Sequence, residues 1–257
     1  MAESNQNQIT FFDIPDKNGR TWSLNPWKTR FALNYKSLPY HTSWTEYPLI
    51  APTLSPHLPP ATPPPSTTSY TIPAIRFPDD NGGTYLMDSK KIAIELERRY
   101  PSPQYPSLGL DSPVLEKLEA IMPRLLKGLY GVFVPGVVKR VLGEGSKGYF
   151  KETREEAFGM GIDELEAKQG GERVYEEVIG NDLKEVTRLL KENGKGEGPF
   201  FEGDKVTYAD FVWAGFLLFI RGAAGEEGWG KLLEATGDRE AHEKLLKAVE
   251  PWARDDI

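Results

Sequence analysis

Every stretch of this 257-residue chain that reads as a β-strand lies before Pro101, and from Ser112 onward only helical periodicity recurs. That change of period constrains the fold more than any other feature. Runs at period two need partner strands, whereas apolar residues at three- and four-residue steps need other helices to bury one stripe. The chain therefore divides into an α/β domain over 9–101 and an all-helical domain over 112–252.

In the front part, Ile9–Ile14 reads as a strand and a short helix from Pro26 ends near Tyr35. Tyr40–Tyr47 has the β-propensity of a second strand. Strand, helix and strand in this order form a βαβ unit, which the handedness rule makes a right-handed parallel pair. Seven of the 21 prolines then fall between Pro52 and Pro65, interleaved with Ser and Thr. Proline removes a helical hydrogen bond and clashes with the preceding turn, so 51–69 is expected to be a long, largely extended surface loop. Tyr70–Phe77 reads as a strand in which Pro73 must begin the paired region or sit at an edge, since it cannot donate to a ladder. Asp79–Gly83 is turn chemistry, and Thr84–Met87 completes a hairpin. Asp88 and Ser89 open a helix with Ile92, Ala93, Leu96 and Tyr100 on one face, closed by Pro101.

In the rear part, Leu115, Leu118, Ile121, Met122, Leu125, Leu126 and Leu129 recur at helical steps, and Pro123 predicts a kink. Glu-rich helices are expected over 151–169 and 173–192, with solvated charged faces. Thr207 and Asp210 have the spacing of a capping box, and Val206 with Phe211 that of a hydrophobic staple. The helix they start, Phe211 to about Arg221, is apolar nearly all round and is expected to be the buried core helix. A last amphipathic helix runs from about Arg239 to Trp252.

Charge and composition narrow the chemistry. Lys and Arg number 31 against 38 Asp and Glu, a net of 31 − 38 = −7, and no basic run exists. Such a chain is a poor partner for nucleic acid or an anionic membrane. The longest apolar run, Phe211–Ile220, falls far short of the ~20 residues that span a bilayer. The polar start, Met1–Gln8, has no apolar core, so neither a signal nor a transit peptide is expected and the cytoplasm is the expected location. Cysteine is absent, which leaves no disulfide, thiolate metal site or protein-borne thiol nucleophile. His41, His57 and His242 include no pair at metal-ligand spacing, so no metal is expected.

The stretch Ser23-Leu24-Asn25-Pro26-Trp27-Lys28-Thr29-Arg30 is the expected working end. Asn25 followed by Pro26 reads as a helix start, with Asn as cap and Pro supplying a pre-set φ. Ser23 then lies just ahead of a helix N-terminus, where a hydroxyl can help hold an anion, a thiolate included. Taken alone, the octapeptide also fits a plain turn. Asp88 and Ser89 likewise fit a simple cap, Trp27 core packing, and Lys28 a solvated charge.

Strand, helix, strand, proline-led hairpin and helix, followed by a helical domain with a stapled core helix, resembles the glutathione transferase superfamily over about residues 9–252. Ser23 with Pro26-Trp27-Lys28-Thr29-Arg30, then Tyr35-Lys36-Ser37-Leu38-Pro39-Tyr40, then Asp88-Ser89 leading to Tyr100-Pro101, is most similar to the fungal FuA-type and bacterial β-etherase-related members. Leu24 stands where those members carry a proline. The resemblance implies a thioredoxin-like βαβββα domain followed by a helical-bundle domain, glutathione as cosubstrate, and a cytoplasmic homodimer. It implies that Ser23 holds the glutathione sulfur, and that Ile72-Pro73 is cis with the Ile72 backbone paired to the tripeptide. Asp88 and Ser89 would take the γ-glutamyl end, with Asn25, Trp27 and Lys28 as further contacts. The reaction implied is attack of the glutathione thiol on an apolar or aromatic electrophile. Double-bond isomerisation, ether thiolysis, non-catalytic ligand binding and a scaffold role stay open at this point.

Overall fold

Ile9–Asp13 (β1) is buried at every position but Thr10, Tyr40–Trp44 (β2) buries Tyr40 and Thr42 on one face, and the two strands pair in parallel with Asp13 opposite Trp44. Leu24–Tyr35 (α1) makes the crossover between them. In the computed structural model, which describes residues 8–61, 69–79, 82–193 and 198–254, two further strands complete one sheet. Ala74–Phe77 (β3) runs antiparallel to β1, with Phe12 opposite Ala74, and Thr84–Met87 (β4) runs antiparallel to β3. The strand order is β2-β1-β3-β4, and Ser89–Arg99 (α3) follows β4 and packs on α1. The βαβ unit, the hairpin and the terminal helix are as expected; Asp80 and Asn81 of the hairpin turn lie outside the described residues, as do 1–7 of the polar start.

The region after β2 departs from expectation. The strand stops at Trp44, Tyr47–Leu49 forms a 3₁₀ turn, and Ile50–Leu54 is a short helix (α2) rather than extended loop. Prolines there do not forbid helix because Pro48 and Pro52 fall in first turns, where the missing N–H has no intrahelical partner to lose. Ile50 and Leu54, four residues apart, supply the buried stripe. Residues 62–68 of the proline-rich segment lie outside the described residues.

The rear of the chain is helical throughout, with more breaks than the periodicity suggested. Pro113–Gly128 (α4) starts behind Ser112, whose hydroxyl accepts from the Val114 N–H, and runs on through Pro123. The large change of direction, 71°, comes at Leu129, before Tyr130–Gly136 (α5) and a π-helical turn at Val137–Val141. The expected Glu-rich helix is two: Glu144–Phe158 (α6) and Ile162–Gln169 (α7), parted at Gly159, whose φ of 63° suits a residue without Cβ. A second π turn, Val174–Val178, precedes Gly180–Asn193 (α8). The core helix, Tyr208–Ala235 (α9), continues past Arg221 and bends at Gly225 (φ 72°, ψ 178°). Arg239–Val249 (α10) ends the bundle, with a 3₁₀ turn at Glu250–Trp252.

The capping box forms as read. The Asp210 carboxylate accepts from the Thr207 N–H at 2.7 Å and from the Phe201 N–H at 2.9 Å, and Phe211, Trp213, Phe216 and Leu217 behind it are fully buried. The chain divides into two compact units. One holds 1–107 with 142–153 and 252–257, and the other holds 108–141 with 154–251, so the first half of α6 belongs with the sheet.

Candidate functional site

Sheet register puts the expected site residues at one end of the first unit. The C-terminal ends of β1, β2 and β4 and the N-terminal end of β3 share one edge. The loop leaving β1 at that edge leads to Ser23, the segment entering β3 there is Ile72-Pro73, and the chain leaving β4 there is Asp88-Ser89. The Asp88 N–H donates to the Pro73 carbonyl at 3.2 Å, which ties the last two together, and the Ile72-Pro73 bond is cis.

Ser23 itself, not Asn25, is the N-cap of α1. Its backbone is extended (φ −79°, ψ 139°) and its carbonyl accepts from the Trp27 N–H at 3.0 Å. Asn25 and Pro26 lie inside the first turn, where proline's fixed φ is equally at home. The half-buried Ser23 hydroxyl makes no hydrogen bond to any described residue, so it is uncommitted at a point where free amides and the helix dipole favour an anion. Asn25 instead accepts a hydrogen bond from Lys28 Nζ at 2.9 Å. Trp27 is buried and stacks on Phe31 with centroids 5.3 Å apart.

Asp88 has φ 88° and ψ 119°, a left-sided conformation that a residue with a Cβ adopts at a cost of roughly 1–3 kcal/mol and that concentrates at ligand-holding sites. Its carboxylate accepts from the Lys90 and Lys91 N–H groups at 2.9 and 3.0 Å, and Ser89 is the buried first residue of α3. A second helix N-terminus therefore opens at the same sheet edge.

Two features of this chemistry escaped the sequence reading. Arg30, two turns along α1 from Ser23, is wholly buried and pairs with the equally buried Asp13 at 2.8 Å. Asp13 also accepts from the Thr21 hydroxyl at 2.8 Å and the Ile14 N–H at 2.7 Å, while Arg30 reaches Tyr40 and Thr42 and lies over the Phe11 ring. Burial pushes the Asp13 carboxyl upward against the opposing pull of Arg30. The pair pins α1 to β1 and β2 and so fixes where Ser23 stands. Its one signal was an arginine on the inward face of an apolar helix. The second feature lies in the helical unit. Tyr130, Phe133 and Phe158, all half-buried, form an edge-to-face cluster, with centroids 5.6 Å apart for Tyr130 and Phe133 and 5.1 Å for Tyr130 and Phe158. Among the described residues no group of three His, Asp or Glu could hold a metal.

The sequence matches the glutathione S-transferase N-terminal domain over residues 22–99 and the glutathione S-transferase C-terminal domain over residues 118–252. It is 34% identical over 228 residues to the glutathione S-transferase-like protein ustS of Aspergillus flavus, covering 84% of this chain and 82% of that one. The fold is similar to that of glutathione transferase GSTFuA3 from Phanerochaete chrysosporium, with a TM-score of 0.81, 30% identity, and coverage of 97% of this chain and 99% of that one. It is also similar to the glutathione S-transferase CsGST63524 of Ceriporiopsis subvermispora, solved in complex with glutathione, with a TM-score of 0.78, 27% identity, and coverage of 96% and 98%.

Proposed function

Because the chain belongs to the glutathione S-transferase family, with glutathione as its cosubstrate, we propose that it activates the glutathione thiol at Ser23 for attack on an apolar or aromatic electrophile. The observation that carries this reading is the uncommitted Ser23 hydroxyl at the N-terminus of α1. A chain without cysteine borrows its thiol. A free thiol has a pKa of about 8.5, and lowering it by ~2 units takes roughly 2.7 kcal/mol of preferential thiolate stabilisation. A hydrogen bond donated by a hydroxyl to an anion, together with a helix N-terminus, is of that order.

The rest of the tripeptide meets the same sheet edge in this proposal. The Ile72 backbone, which makes no hydrogen bond to a described residue, pairs with the peptide beside Pro73. The amide end of α3 at Ser89, with Asp88 beside it, takes the γ-glutamyl carboxylate and ammonium. Lys28 and Asn25, held together on the outside of α1, line the approach. The working form is a cytoplasmic homodimer, and no single helix among the described residues is long and apolar enough to cross a membrane.

Ser23→Ala tests the reading. It should lower glutathione-dependent turnover at least about tenfold, since a hydrogen bond to a charged group is worth ~1.5–3 kcal/mol, while leaving the melting temperature near that of the parent. Turnover undiminished in a folded variant would assign the thiolate to another donor.

A further inference from the structure

The helical unit contains a polar cavity that the proposed chemistry does not use. It has a volume of about 440 Å³, within the range of small-molecule sites, and forms where three irregular backbone segments converge. One is the π turn Val137–Val141, which carries Arg140; another is the π turn Val174–Val178, which carries Tyr175; the third is the break in α9 at Gly225. Single π turns inside helical segments recur at functional sites.

Tyr175 is 95% buried, yet its hydroxyl lines this cavity and makes no hydrogen bond to any described residue. The side chain has room only because position 228 is glycine, where a Cβ would lie 2.7 Å from the Tyr175 oxygen. Arg140 is fixed by its own hydrogen bond, from Nη1 to the Ala223 carbonyl at 3.0 Å, and among the described residues it has no carboxylate partner. That sets it apart from the other charges on the walls. Lys231 is paired with Glu172 and Glu227, Glu166 with Lys139, and Glu226 with Arg221. Lys231 thus serves two carboxylates, and among the described residues Arg140 is the wall cation that no carboxylate reaches, in the same cavity as a phenol without a hydrogen bond.

We infer that this cavity binds the carboxylate of a small singly charged organic acid, held by the Arg140 guanidinium and the Tyr175 hydroxyl. A guanidinium matches a carboxylate in geometry, and a phenol adds a charge-assisted hydrogen bond to it. With four glutamates against Arg140 and Lys231 the walls carry a net charge of 2 − 4 = −2, so a dianion such as sulfate meets about twice the net repulsion that a monoanion does.

Benzoate is the probe, titrated calorimetrically into the full chain without glutathione, with sulfate at matched ionic strength as the comparison. The expected result is saturable binding of one benzoate per chain at millimolar concentrations, with sulfate at least fivefold weaker, on the order set by the charge argument. Tyr175→Phe keeps the ring and removes only an unpartnered oxygen, so it should melt as the parent does and bind benzoate at least about threefold more weakly. Arg140→Gln should weaken binding about tenfold or more. No saturable benzoate binding, equal or tighter sulfate binding, or parental affinity in a folded Tyr175→Phe protein would each overturn the assignment.

Discussion

The two units bury polar side chains in opposite ways. In the sheet-containing unit the buried polar cluster is charged: Asp13 and Arg30 are both inaccessible and joined at 2.8 Å, with further hydrogen bonds to Thr21, Tyr40 and Thr42. In the helical unit the corresponding cluster is neutral. His242 Nδ1 accepts from the Trp213 Nε1–H at 2.8 Å, its Nε2 meets the Thr187 hydroxyl at 2.8 Å, and Thr187 donates to the Thr236 carbonyl at 2.8 Å. The Trp213 donor fixes the tautomer, because an imidazole nitrogen that accepts carries no proton, which places the proton on Nε2. The charged cluster aims one helix start at one sheet edge, where the proposed chemistry lies. The neutral one joins α8, α9 and α10 with no field of its own.

The difference is sharpest when one partner is removed. Arg30→Met should destabilise the protein by about 3–5 kcal/mol, because it leaves the Asp13 carboxylate buried without its counter-charge. Adding Asp13→Asn should restore more than half of that, since the double variant buries no net charge. Urea unfolding of the two variants measures both. A single variant no worse than the double would mean that Asp13 is neutral in the native protein and that the clusters are alike after all.

Acid should reveal the neutral cluster. Burial holds His242 down to about 4 from an ordinary 6.5. The unfolded chain therefore takes up a proton at a higher pH than the folded one, so the contribution of His242 is fully present above about pH 6.5 and is lost as pH falls toward 4. A depression of about 2.5 units corresponds to roughly 3 kcal/mol. Urea midpoints followed by tryptophan emission in an Asp210→Asn background, which removes an opposing titration, should show this loss. A flat profile there would show that the cluster accepts a charge without penalty.

Much of this was legible in the chain because it is local. Thr207 and Asp210 are three residues apart, Asp88 precedes the helix it caps, and each strand-like run before Pro101 yielded a strand, although two are shorter than read: Tyr40–Trp44 stops before Tyr47, and Ala74–Phe77 begins only after Pro73. What was not legible was decided at long range or by exceptions to a breaker rule. Asp13 and Arg30 are 17 residues apart, and Trp213 and His242 are 29 apart, so no spacing argument connects them. The helix at Ile50–Leu54 was hidden by prolines that sit in first turns. The bends at Leu129 and Gly225 were hidden by apolar runs that continue across them, since hydrophobic periodicity reports a buried face and not the straightness of the helix carrying it.

The smallest expected effect bears on the one carboxylate that breaks the neutrality of the helical unit. Asp210 is buried and accepts two backbone N–H groups, yet burial outweighs them and pushes its carboxyl up to about 6. The folded chain then keeps this proton to higher pH than the unfolded chain, whose carboxyl loses it near 3.8. Its contribution is therefore fully present below about pH 3.8 and is lost as pH rises through 6, the reverse of His242. Asp210→Ala should cost about 0.5–2 kcal/mol at neutral pH, through the lost capping interaction. At about pH 5 the loss should be larger, because the parent has by then regained the stability that ionisation removed. The His242 contribution is common to both proteins and cancels in the difference. Paired urea titrations at the two pH values measure it, and a loss that shrinks toward acid would mean that Asp210 is held ionised by its amide donors, making the capping box a second charged centre like that of Asp13 and Arg30.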